Sequence, residues 1–101
     1  MSEPKTLPWD ATDYLKTPEQ MAAYLEAALE EGDSTVIAMA LGTIARAQGM
    51  TTVAREAGLG RESLYKSLSA GGNPEFATVL KVIEALGLRL HASPASDPKA
   101  A

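Results

Sequence analysis

Cysteine is absent from the 101 residues, and histidine occurs once, at position 91. The first absence excludes a disulfide framework and any thiolate metal site, so stability must come from packing of Leu, Ile, Val, Ala and Met. A reducing cytoplasm is the setting that suits such a chain. With one His, no Cys and no glycine-rich phosphate loop after a strand, the constellation an enzyme needs is missing, and no catalytic residue, metal or cofactor is expected. His91 reads as a surface or hydrogen-bonded histidine. Glu30, Glu31 and Asp33 lack the alternating spacing of a calcium loop and read as acids around a helix end. Residues 1–10 carry neither a basic flank before an apolar stretch nor a small-residue cleavage pattern, and no apolar stretch approaches membrane length, so neither secretion nor membrane insertion is expected.

What is present is enough for one compact core. The chain is 46% hydrophobic, and its length suits a single domain rather than two. The net charge of −4 is unevenly placed. Residues 1–33 hold eight acids against two bases, a local charge of −6, so the remainder is +2. Four of the bases, Arg46, Arg55, Arg61 and Lys66, fall within twenty-one positions. Halves of opposite sign suggest two different partners.

Glycine and proline divide the chain into segments of helical periodicity. Thr17-Pro18-Glu19-Gln20 combines a capping threonine, a proline in the first turn and a glutamine able to reach back to the cap, predicting a helix over 18–31 that stops at Gly32. Its apolar stripe is Met21, Ala22, Leu25, Ala28 and Leu29, with Glu26, Glu30 and Glu31 in water. Asp33 caps a second predicted helix, 34–47, with Val36, Ile37, Ala40, Leu41 and Ile44 inward, Arg46 in the last turn and Gly49 beyond its end. Asn73-Pro74-Glu75 predicts the start of another helix, with Phe76, Val79, Leu80, Ile83 and Leu86 inward and Gly87 as its stop. Residues 88–92 alternate and read as a short strand that could pair with the alternating Leu7, Trp9 and Ala11 or with a second copy of the chain. The resulting division is an N-terminal arm (1–16), a helical domain (17–92) and a disordered tail (93–101).

Between Gly49 and Gly71 two short helices are predicted, 52–57 with Thr51 as its cap and 61–68, joined by Gly58-Leu59-Gly60. A helix-turn-helix needs a small residue where the helices press together, a glycine at the bend and apolar residues that seat the second helix. Ala54, Gly58, Leu59, Leu64 and Leu68 supply these at the fifth, ninth, tenth, fifteenth and nineteenth places of a twenty-residue unit spanning 50–69. In such a unit the second helix lies in the major groove of double-stranded DNA. Facing away from Leu64 and Leu68 are Arg61, Glu62, Tyr65 and Lys66. Arg61 has the fork geometry for guanine, Glu62 can accept from cytosine or orient Arg61, and Ser63 and Tyr65 can bond phosphates or base edges. Lys66, Arg55, Thr51 and Thr52 suit phosphates that fix register. The competing reading is a plain αα-hairpin in a bundle. Few phosphate-neutralising bases are present, so specific binding points to a homodimer reading two half-sites about 34 Å apart.

The strings Arg46-Ala47-Gln48-Gly49-Met50, Arg61-Glu62-Ser63-Leu64-Tyr65, Gly72-Asn73-Pro74 and Phe76-Ala77-Thr78-Val79-Leu80-Lys81-Val82, with Glu30-Glu31-Gly32-Asp33 upstream, form a recognisable whole. Across most of residues 9–92 the chain resembles the addiction-module antidote (type II antitoxin) family. The resemblance implies an all-α, five-helix, lambda-repressor-like fold and a protein that neutralises a small basic toxin similar to the RelE and ParE superfamily. It also implies repression of its own operon through the promoter. The acidic segment agrees with this, since a basic toxin surface would complement it. Trp9, Tyr14, Glu26 and Glu30 are the candidate toxin-binding residues, the two aromatics being either anchors in a partner's pocket or covers for the chain's own core. A stand-alone phage-like repressor and a protein-interaction module without DNA binding are the alternatives.

Overall fold

The computed structural model describes residues 14–95, and these are all-helical, with five helices and no strand among them. In chain order they are α1 (Pro18–Glu31), α2 (Ser34–Gln48), α3 (Met50–Ala57), α4 (Arg61–Ser67) and α5 (Phe76–Ala85).

The ends of α1 follow from local chemistry. The Thr17 hydroxyl accepts from the Gln20 amide at 3.1 Å, and the Gln20 side-chain oxygen accepts from the amides of Thr17 and Lys16 at 3.1 and 2.9 Å. Three amides that have no partner inside the helix are thereby satisfied. Gly32 closes α1 in the left-handed region, and the Asp33 carboxylate accepts from Thr35 at 2.9 Å to open α2.

Gly49 ends α2 and begins α3 in one step, at φ 104, ψ 104. This corrects the expectation that Thr51 caps the third helix. The positive φ at Gly49 turns the chain sharply enough for α3 to start at Met50, leaving both Thr51 and Thr52 on the exposed side of its first turn. Gly58 then ends α3 at φ 74, where its amide bonds to the Arg55 carbonyl at 3.1 Å and the Leu59 amide to that of Ala54 at 2.8 Å. That pairing is a Schellman closure, and it aims the chain into α4.

α5 begins later than Asn73-Pro74-Glu75 suggests. Gly72 lies against the carbonyls of Ser67 and Lys66, where no Cβ would fit, and Glu75 is still extended at φ −67, ψ 154. The N-cap is therefore Glu75, without a side-chain bond, rather than Asn73.

The core is built from Leu15, Leu41, Ile44, Leu64, Leu68 and Val82, all at 1% exposure or less, with Met21, Leu25, Val53, Ala54, Ile83 and Leu86 around them. α3 sits centrally, packing on α2, α4 and α5, while α1 packs on α2. Leu15 precedes α1 yet lies inside, and the Gln48 side-chain amide donates to its carbonyl at 2.9 Å. On α5, Val82 and Ile83 fill the core, whereas Phe76 and Leu80, expected inward, are 66% and 42% exposed. The inward stripe runs through Val79, Val82, Ile83 and Leu86, which places Phe76 and Leu80 on its flank. On α1, Ala22 and Leu29 are likewise exposed while Met21, Leu25 and Ala28 are buried.

The strand expected over 88–92 is not formed among the described residues. After Gly87 the chain runs as an irregular segment in which Leu88 and Leu90 pack against the core and Arg89 and His91 stay exposed. The alternation in sequence records two leucines seated on helices, not a ladder. The candidate partner segment, Leu7 to Ala11, lies outside the described residues.

Candidate nucleic-acid interface

Buried Leu64 and Leu68 pin α4 to the core by one side, so the residues between them point outward. Arg61, Glu62, Ser63, Tyr65 and Lys66 together line a single open concavity on the surface. All five are exposed, Tyr65 to 54%. Thr51, Thr52 and Arg55 are exposed on α3, the helix against which α4 packs, and lie outside that concavity. Five of the eight expected DNA-facing residues thus form one surface, and the other three stand on the adjoining helix.

The concavity is lined by polar and charged groups. It offers a guanidinium, an ammonium, a carboxylate, a phenol and a hydroxyl at a site open to solvent. These groups can hydrogen-bond base edges and phosphates without any covalent step. Lys66 also borders the loop beyond α4, beside Ser63, Ser69, Gly71 and Asn73. Two hydroxyls there are engaged with the backbone, Ser67 donating to the Ser63 carbonyl at 2.9 Å and Ser69 to that of Lys66 at 2.8 Å. They fix the end of α4.

One residue at this surface was not among the site residues drawn from the sequence. Arg46, in the last turn of α2, has its guanidinium carbon 5.9 Å from the centroid of the Tyr65 ring. The sequence assigned it to the helix dipole, because only the packing of α2 on the end of α4 brings the two side chains together.

The residues expected to meet a toxin lie elsewhere. Glu26 and Glu30 flank a groove between α1 and the segment after Gly87, floored by Leu25, Leu29, Leu88 and Leu90. Tyr14 stands at the surface, 46% exposed. Trp9 lies outside the described residues. Among the described residues no three His, Asp or Glu side chains come together as a metal site, and no helix is long and apolar enough to cross a membrane.

Residues 5–94 match the family model described as probable addiction module antidote protein. A protein of Haemophilus influenzae described only as uncharacterized is 48% identical over 81 residues, which cover 80% of this chain and 84% of the relative. No solved structure matches the chain.

Proposed function

This chain belongs to the family of probable addiction module antidote proteins, and from that premise we propose that it is the antitoxin of a type II module that neutralises a small basic toxin and represses its own promoter. It acts in the cytoplasm by binding and not by catalysis. The fold is of the lambda-repressor-like type, with α3 and α4 as the helix-turn-helix and α4 as the reading helix.

The observation that carries the DNA half is the shared surface of Arg61, Glu62, Ser63, Tyr65 and Lys66 on a helix seated by Leu64 and Leu68 behind a glycine turn. Arg61, in the first turn, is the residue placed to reach guanine, and Lys66, Arg55, Thr51 and Thr52 are placed for phosphates. Since the chain carries a net −4, bulk electrostatics cannot hold DNA, and a homodimer that doubles the base contacts meets that difficulty. The toxin half is supported by α1, whose exposed Glu19, Glu26, Glu30 and Glu31 have no basic neighbour on that helix. Such a face steers a positively charged partner and repels an acidic one.

The test is coexpression with the product of the adjacent gene. A stable complex with a small basic protein, together with relief of the growth arrest that protein causes when expressed alone, is the expected result. Promoter binding without such a partner would instead identify a stand-alone repressor, and a toxin complex that ignores DNA would identify an interaction module.

A further inference from the structure

We infer that Arg46 belongs to the DNA-reading surface, as a positioning residue that holds Tyr65 over its target and places its own N–H edge at a flanking phosphate. The inference rests on the DNA-binding reading above.

Helical side chains lean toward the N-terminus of their own helix, so Arg46 lies back along α2 toward the residue one turn earlier. That residue is Gly42. A Cβ there would stand 2.5 Å from the Leu68 carbonyl oxygen and 3.4 Å from Nη1 of Arg46. Gly42 therefore forms a notch in which α2 meets the end of α4 directly and the guanidinium crosses from one helix to the other. At the far side of the notch the guanidinium carbon is 5.9 Å from the Tyr65 ring centroid, within the range of cation–π attraction.

The geometry divides the guanidinium between two tasks. A guanidinium can meet an aromatic ring with its face while its N–H groups, which lie in its plane, stay available to an anion. Tyr65, at 54% exposure on a short helix, would otherwise be free to exchange rotamers. The cation–π contact restricts the ring of Tyr65, which lines the concavity shared with Arg61 and Glu62. Lysine cannot take the place of arginine here, because an ammonium lacks the planar fork that serves both tasks at once.

The experiment is a double-mutant cycle read by fluorescence anisotropy, using Arg46→Ala, Tyr65→Ala, the pair together and Arg46→Lys. Each is titrated with the native promoter duplex and with an unrelated duplex at several salt concentrations. Arg46→Ala should lower the preference for the promoter by roughly two- to fivefold through loss of the cation–π contact that holds the ring. It should also reduce the slope of log affinity against log salt by about one. In the Tyr65→Ala background the loss of preference should vanish while the slope change remains. Arg46→Lys should restore the slope but not the preference. A preference unchanged by Arg46→Ala, or lowered equally in both backgrounds, overturns the inference. Failure of the wild-type protein to favour its promoter would instead bring down the DNA-binding reading, and this inference with it. Thermal melting of Arg46→Ala should match wild type, since the side chain is exposed.

Discussion

Among single residues, the exposed side of α4 is distinct from the side that Leu64 and Leu68 bury in the core. Arg61 is exposed, so Arg61→Ala should leave thermal stability unchanged. Promoter binding should weaken by about 1–3 kcal/mol, with discrimination relaxed at one base position. Discrimination that survives intact in a binding titration would move the reading role to another residue. Gly42 shows the opposite separation. Because its Cβ would meet the Leu68 carbonyl at 2.5 Å, both of them backbone-fixed, Gly42→Ala should destabilise by about 1–3 kcal/mol through displacement of α2 from α4. Denaturant unfolding measures this, and an unchanged midpoint would mean that the two helices can separate at no cost.

At the scale of elements, what could be read from sequence was what is written in neighbouring residues. Thr17, Pro18, Gln20, Gly32 and Asp33 define the ends of α1 and the start of α2 within a few positions of one another, and the structure places those ends where their chemistry requires. Thr17→Ala should accordingly cost about 1 kcal/mol in thermal or chemical unfolding, and a negligible change would show the capping box to be dispensable. The starts of α3 and α5 were not legible in the same way. Thr51 and Asn73 are competent caps, but the positive φ of Gly49 starts α3 at Met50 and the extended Glu75 delays α5 to Phe76, so neither candidate cap is used. The terminal segment illustrates a related limit. Alternating Leu88 and Leu90 look the same whether they face a neighbouring strand or a pair of helices, and here they face helices. The clustering of five of the expected DNA-facing residues was legible because they share one short helix. Arg46 reaches the same surface from another helix, and no local spacing could have announced it.

At the scale of the whole molecule, the two charged regions occupy different parts of the fold. α1, with its glutamates, packs on α2, and α4, with its bases, packs on α3. The arrangement predicts that toxin and promoter can be bound together, which a supershift of the DNA complex by added toxin would demonstrate and a mutually exclusive pattern would refute. Removal of residues 1–33 cannot test the toxin surface, because Leu15, Met21 and Leu25 are core residues. Glu26→Lys with Glu30→Lys is the cleaner change, since both side chains are exposed. It should slow toxin association and raise the dissociation constant while leaving promoter affinity intact.

A protein with a net charge of −4 that reads its own promoter through α4 must discriminate by contacts to base edges and not by charge alone. Competition between the native promoter duplex and an unrelated duplex of equal length, at physiological salt, tests it most directly. A reading α4 should give a preference for the promoter of roughly a thousandfold or more, as specific readers show. Equal affinity for the two duplexes, or no binding to either, would contradict it.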